Sequence, residues 1–390
     1  MSNKEYVLFR GRKYFVEDGE LSLHSVNISD VNELKGLQNL TSLSSLNLQF
    51  NTISHIEGLE PLINLRSLIL SNNRISEIDG LKSLKNLTDL QLNNNNLSEI
   101  RGLEKLTNLN SLDISRNVIR EIKGLDTLVN LEWLSLLNNR ISEINGLKSL
   151  KNMTRLRLKD NNISEIKGLE KLTNLNSLDI SRNVIREIKG LDTLVNLESL
   201  FLLDNRIRKI KGLERLKALK LLNLKRNHIK KIEGLSMLKN LEHLSLGGNN
   251  ILEIQNLEQL INLRGLSLSS NKISEIKGLE TLNKLVSLDL NCNNIAKIKG
   301  LDNLEDLVEF ELTYNKIQRI PHLGALKNLK YLFIQHNRLD HIADLKNIDG
   351  IHTYIGDNPV VKEVNEKYGG KVDCEDELMW SEELRRELYK

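Results

Sequence analysis

The chain is poor in residues that interrupt, clamp or bulk out an ordinary globular core. It has three prolines in 390 residues, an aromatic share of 4% and two cysteines. A core of this size normally leans on ring side chains for volume and divides into two or three domains. Here leucine and isoleucine must fill it instead. Cys292 and Cys374 are far apart and show neither CxxC nor zinc spacing, which excludes a disulfide framework and a zinc module. No run approaches 18 apolar residues, so no helix spans a membrane. Charge of one sign is missing too: 55 Lys and Arg face 52 Asp and Glu, a formal net charge of +3. A protein that coats a polyanion gathers cations on one face or tail, so that balance predicts no nucleic-acid partner. The charged stretch Met1 to Val16 lacks the apolar core of a secretory signal. Together these absences predict a reducing, cytoplasmic setting, in which glycan-acceptor tripeptides such as those beginning at Asn39, Asn86 and Asn162 are accidental.

What the chain has in abundance is one spacing. Asn51, Asn73, Asn95, Asn117, Asn139, Asn161, Asn183, Asn205, Asn227, Asn249, Asn271, Asn293, Asn315 and Asn337 follow one another at 22-residue steps without insertion or deletion. Around Asn183 the frame reads Leu175, Leu178, Ile180, Asn183, Ile185, Ile188, then Gly190, Leu191 and Leu194. A degenerate copy precedes the run, with Leu21, Val26, Val31, Leu34 and Gly36 around Ser29 in the anchor slot. Another follows one residue out of register and ends at Asn358-Pro359.

This frame resembles the leucine-rich repeat, L-x-x-L-x-L-x-x-N-x-I. Its physics predicts a short strand at L-x-L, with side chains pointing alternately in and out. The remaining apolar slots turn the chain through one coil and pack inward, so successive coils share one core. The anchor Asn at the bend carries two donors and two acceptor lone pairs, enough to satisfy backbone groups of its own and adjacent coils. A surface ladder of asparagines that binds ligand is the alternative. Seven residues past the anchor stands Gly in eleven of fourteen repeats, replaced by Asn256, His322 and Asp344 in the rest. That slot is expected to be left-handed, which makes these glycines backbone punctuation and not a phosphate cradle.

The expected architecture is an α/β fold: a right-handed leucine-rich-repeat solenoid with a parallel concave sheet and a short helical or irregular convex side. Residues 1–20 read as an N-terminal hairpin cap turning near Arg10-Gly11, with Tyr6, Phe9, Tyr14 or Phe15 covering the first coil. Residues 21–358 form the repeats, and 359–390 a C-terminal helical cap. In the latter Pro359 starts a helix through Tyr368, and a last helix presents Trp380, Leu384 and Leu388. Capping is the expected role of both; a helix offered to a partner is the other.

Catalytic signals are scarce. The eight histidines are scattered, His336 and His341 have poor metal geometry, and there is no P-loop, G-x-S-x-G or H-E-x-x-H. Nothing calls for a cofactor, and a non-enzymatic monomer is expected. The strand face is more informative, because anchor −6, −4 and −2 point out of the core and −1 lies beside them. Between the first cap and Phe310 only Phe50, Trp133 and Phe201 are aromatic, and all three occupy slots that the repeat does not bury. Exposed Trp and Phe are candidate hot spots; mutual shielding is the plainer reading.

The chain also contains an internal comparison. Residues 72–132 and 138–198 are near-copies, and 102–132 is identical to 168–198. Among the differences, Asp89, Gln91, Asn93 and Asn94 are answered by Arg155, Arg157, Lys159 and Asp160, all on the strand face. A scaffold altered where it meets a partner has this pattern, and so does drift at tolerant positions. Two candidate patches result. The central one gathers Trp133, Leu137, Arg155, Arg157, Lys159, Asp179, Arg182, Phe201, Leu203 and Lys225, with its aromatics three strands, about 14 Å, apart. The C-terminal one holds Glu309, Glu311, Tyr314, Tyr331, Phe333 and His336, and is acidic and aromatic.

The recurring phrase I-x-x-I-x-G-L-x-x-L-x-N-L-x-x-L-x-L-x-x-N is similar to the SDS22 family, cytoplasmic and nuclear regulatory subunits of protein phosphatase 1. Leu197-Glu-Ser-Leu-Phe201-Leu, Leu307-Val-Glu309-Phe310 and the Asn358-Pro359 ending resemble that family most closely. The resemblance implies a folded partner, a phosphatase catalytic subunit, held on the concave face by Phe201, Glu309 and Phe333. This chain departs from the family in having Glu311 where the family has Trp. It also carries a basic Arg155-x-Arg157-x-Lys159 where the family favours acids and aromatics. Such regular copies also resemble bacterial internalins, exported adhesins, which supply the alternative.

Overall fold

The computed structural model describes residues 5–367 together with Leu378, Arg385, Arg386, Leu388 and Tyr389. The chain forms two compact units, Met1–Ile185 with Lys189–Leu197, and Arg186–Ile188 with Glu198–Lys390. The first opens on a hairpin of β1 (Tyr6–Phe9) and β2 (Arg12–Phe15). Its turn residues Arg10 and Gly11 both have positive φ, 46° and 77°, as a tight primed turn requires. Val7 and Phe9 turn inward, whereas Tyr6 and Phe15 pair on the outside with ring centroids 5.8 Å apart. Leu8 exchanges backbone hydrogen bonds of 2.9 and 3.0 Å with Lys35, which ties the hairpin to the first coil.

Eight parallel strands follow in this unit: β3 (Glu20–Ser22), β4 (Ser45–Asn47), β5 (Ser67–Ile69), β6 (Asp89–Gln91), β7 (Ser111–Asp113), β8 (Trp133–Ser135), β9 (Arg155–Arg157) and β10 (Ser177–Asp179). The second unit contains β11 (Ser199–Phe201), β12 (Leu221–Asn223), β13 (His243–Ser245), β14 (Gly265–Ser267), β15 (Ser287–Asp289), β16 (Glu309–Glu311), β17 (Tyr331–Phe333) and β18 (His352–Tyr354). It also holds α1 (Pro359–Lys367), whose Val360, Val361 and Val364 are buried. Tyr368, Trp380 and Leu384, also expected in the C-terminal cap, lie outside the described residues. Neighbouring strands pair in register one repeat apart, as in Leu68 with Leu90 and Leu288 with Phe310. Outside the sheet the coils are turns, with short 3-10 pieces at Val31–Glu33, Leu37–Asn39 and Ile342–Ile348. Each unit is thus a stack of leucine-rich-repeat coils.

The coil of Asn117 shows why the sequence folds this way. Leu109, Leu112, Ile114, Ile119, Ile122, Leu125 and Leu128 are fully or almost fully buried, each contributing about 1.5–3 kcal/mol of burial. The anchor amide sits behind them and is saturated. Asn117 Nδ2 donates to Leu92 O and Ile114 O, both at 3.1 Å, and its Oδ1 accepts from Leu97 N at 2.9 Å. Asn139 repeats the set one coil on, donating to Ile114 O and Leu136 O and accepting from Ile119 N. Ile114 O therefore serves two anchors, and the amides bridge coils as the inventory of donors and acceptors predicts. Asn358 completes the series, bonded to Ile334 O, Ile355 O and Leu339 N. A second, outer amide series is also present: Asn130 Nδ2 donates to Thr107 O at 3.0 Å and Asn152 to Val129 O at 3.1 Å.

Two expectations need correction. In the first coil the anchor slot is Val26, not Ser29. β3 pairs with β4 as Leu21 with Leu46, and Ile28 N bonds Asn51 Oδ1 at 2.9 Å, so that coil is three residues longer than the rest. The extra residues lie between the bend and Gly36, in the segment holding the Val31–Glu33 turn. At the glycine slot all eleven glycines and Asn256 have positive φ, but His322 and Asp344 do not. Asp344 sits instead in the Ile342–Ile348 turn, where it accepts two 2.7 Å bonds from Arg319 and one of 3.0 Å from Ile320 N. The left-handed position that recurs in every coil is the residue before the anchor, which stops the strand after three residues. Phe50, Arg116, Arg182, Arg226, Tyr314 and His336 all hold it with φ of 51–58°.

Candidate protein-binding face

In the second unit the open strand face gathers carboxylates beside stacked rings. Side chains at −6 and −4 stand in rows because equivalent residues pair in register: Glu309 with Tyr331 with His352, and Glu311 with Phe333 with Tyr354. Tyr331 and His352 stack at 5.5 Å, and Phe333 and Tyr354 at 4.7 Å with planes 10° apart. At the bend row Tyr314 and His336 are almost parallel, 6° apart at 4.0 Å, and His336 Nδ1 lies 3.1 Å from Asp357 Oδ2. All six residues expected in the C-terminal patch are brought together. His352, Tyr354 and Asp357 join them; the sequence reading missed these because the last coil is one residue short and breaks the period.

The acidic side of this face is electrostatically loaded. Burial pushes the Glu311 carboxyl above its ordinary value, and the neighbouring Asp289 and Glu309 add to the rise, against the lowering effect of an amide bond from Asn291. Ser287 Oγ donates to Glu309 at 3.2 Å, and Ser267 Oγ to Asp289 at 2.7 Å. A guanidinium or ammonium set here would relieve the carboxylate repulsion and find ring faces nearby.

The residues of the expected central patch divide between the units. In the first, Trp133 on β8 is half-buried and stands beside Arg155 on β9, while Ser135 stands beside Arg157 and Arg157 beside Asp179. Arg155 and Arg157 are exposed, Leu137 and Lys159 half-buried, and Arg182 Nη1 lies 3.6 Å from Asp160. Their counterparts in the earlier copy are tied down: Asp89 accepts from Ser67 Oγ at 3.3 Å and from Gln91 Nε2 at 3.2 Å. In the second unit Phe201 and Leu203 are half-buried and Lys225 is exposed; Phe201 pairs with Asn223. Among the described residues no group of three or more His, Cys, Asp and Glu side chains is placed to hold a metal ion.

Comparison with known proteins fits this geometry. A signature described as Leucine Rich repeats (2 copies) matches residues 63–104, 85–127, 151–193, 217–260 and 261–303, which together make up half of the chain. The chain belongs to the leucine-rich repeat family. Among solved structures it is similar to an internalin (inlF) from Listeria monocytogenes, at 30% identity over 77% of this chain and 89% of that one, with a TM-score of 0.69. It is also similar to the Leptospira interrogans leucine-rich repeat protein LIC12759, at 27% identity over 90% and 95% of the two chains, with a TM-score of 0.82. The plant peptide hormone receptor RGFR1, in complex with RGF2, is 24% identical and matches in fold, with a TM-score of 0.60 over 85% of this chain and 61% of that one. Nothing among curated proteins matches. Leucine-rich repeat arrays typically serve as protein-interaction scaffolds, displaying extended surfaces from a stacked core.

Proposed function

We propose that this leucine-rich repeat protein is a non-catalytic scaffold that docks a folded protein on its strand face, with the second unit taking a cationic segment of that partner. The observation that carries this reading is the in-register set of Glu309 and Glu311 beside the stacked Tyr331, Phe333, His352 and Tyr354. Arginine is the best fit, since it can bridge carboxylates and lie on a ring. The narrower form is an SDS22-like, cytoplasmic and nuclear regulator of a protein phosphatase 1-like catalytic subunit. The strand-face positions of Phe201, Glu309 and Phe333 support that form. A second reading, an exported internalin-like adhesin, is favoured by the 30% identity to inlF.

Affinity capture from native cell extract tests the scaffold reading. Wild type is compared with Glu309→Ala/Phe333→Ala and Trp133→Ala/Phe201→Ala, and each captured protein is then purified for direct titration. The proposal expects a folded partner that Glu309→Ala/Phe333→Ala fails to hold. It fails if neither double variant loses anything. Recovery of a phosphatase catalytic subunit or of a host-surface protein separates the two narrower readings.

A further inference from the structure

The near-zero net charge conceals a strong local excess. Residues 206–231 carry eleven Lys and Arg against the single acid Glu214, leaving 44 basic and 51 acidic residues in the rest of the chain. Part of the excess lies at one loop position. Four residues past the anchor most coils carry Glu, as in Glu187, Glu253 and Glu275, and the Lys of the following coil pairs with it. Lys211 lies 3.8 Å from Glu187, Lys277 3.5 Å from Glu253 and Lys299 3.4 Å from Glu275. In the two coils of Asn205 and Asn227 that Glu is Lys209 and Lys231, and the residue before it is Arg208 and Lys230.

These four cations line a groove of about 720 Å³ together with His228, Asn250 and one acid, Glu233. Among the described residues Arg208, Lys209, Lys230 and Lys231 have no carboxylate within ion-pair distance. Four like charges on two adjacent coils repel one another. A groove of this volume is the size of a small-molecule site.

We propose that this groove binds a small polyanion bearing several phosphate groups. The inference does not depend on the strand-face reading. Two features favour a small ligand over an extended one. Cations fill both of these adjacent slots in only two coils, roughly 10 Å, and Glu187 and Glu253 occupy the second slot on either side. A long polyanion would run onto those carboxylates. The phosphates can come from a free polyphosphorylated molecule or from a lipid headgroup. For the latter, Leu252, 59% exposed at the position that follows Arg208 and Lys230 in the next coil, would supply an apolar contact.

The experiment is calorimetric titration of the full chain with inositol hexakisphosphate at low ionic strength. Vesicles of phosphatidylcholine with and without phosphatidylinositol bisphosphate, and a short DNA duplex, run in parallel. Lys209→Glu/Lys231→Glu installs the residue found at this slot in eight other coils, so the coil has a native precedent for folding. Arg215→Glu/Lys217→Glu makes the same change in total charge outside the groove. The expected result is one-site binding by wild type, weakened by about tenfold or more in the groove variant and by no more than about threefold in the control. Binding to the phosphoinositide vesicles assigns the headgroup as the source; binding to the soluble probe alone assigns a free ligand. The proposal is overturned if wild type binds neither probe, if both variants lose binding equally, or if the duplex binds more tightly than either probe.

Discussion

Replacing one anchor amide should do measurable and local harm, and replacing two adjacent ones should do more than twice as much. In Asn139→Ala the Ile119 N–H loses its acceptor, while Ile114 O keeps a bond from Asn117 and Leu136 O keeps one from Asn161. One orphaned buried donor costs about 1–3 kcal/mol and each weakened carbonyl somewhat less, so the expected loss is about 2–4 kcal/mol. Asn161→Ala orphans Ile141 N in the same way. The double variant additionally strips Leu136 O of both donors, and the cycle should show about 1 kcal/mol of extra destabilisation. Asn117→Ala with Asn161→Ala shares no carbonyl and should be additive to within about 0.5 kcal/mol. Repeat arrays need not unfold in one step, so urea unfolding followed by circular dichroism should be paired with hydrogen exchange at Ile119 and Ile141. Equal coupling in both cycles, or a single-variant loss below about 1 kcal/mol, would refute the bridging role of the amides.

Three further outcomes are expected. Gly124→Ala should destabilise by at least about 2 kcal/mol in thermal unfolding, because φ is +81° and a Cβ would press on the Ile100 carbonyl of the preceding coil. Burial pushes the Asp344 carboxyl up, but the bonds from Arg319 and Ile320 N outweigh it and hold the group below its ordinary value. Its stabilising effect is therefore present above the ordinary carboxylate range and lost as pH falls through the lowered value, and an acid titration of Asp344→Asn should lack that component. For Glu311 the sign is opposite. Its raised value means that ionisation opposes folding, so Glu311→Gln should raise the unfolding midpoint at neutral pH while weakening the affinity for an arginine-rich peptide.

The repeat was legible because each of its parts has one job. A 22-residue spacing of asparagines, framed by leucines at fixed offsets, leaves only a coil with an inward strand and a bridging amide. The sequence hid what departs from that period. Val26 could not be recognised as the first anchor, since three extra residues intervene before Asn51 and its neighbours on the outer side keep the regular spacing. The bend before each anchor is left-handed whether it carries Asn72, Arg116 or Tyr314, so residue type alone does not mark it. The C-terminal acidic and aromatic residues could be read, yet their stacking partners His352 and Tyr354 lie beyond the shortened coil. The basic groove was masked by arithmetic over the whole chain: a balanced total says nothing about two adjacent coils that carry cations at two neighbouring positions.

The strand-face reading is tested most directly by photo-crosslinking of the captured partner. A photoreactive residue placed at Tyr331 is compared with one at Ile261, which is exposed on an outer loop of the same unit. The partner should crosslink from position 331 and not from 261. Crosslinks from 261 alone would contradict the proposal.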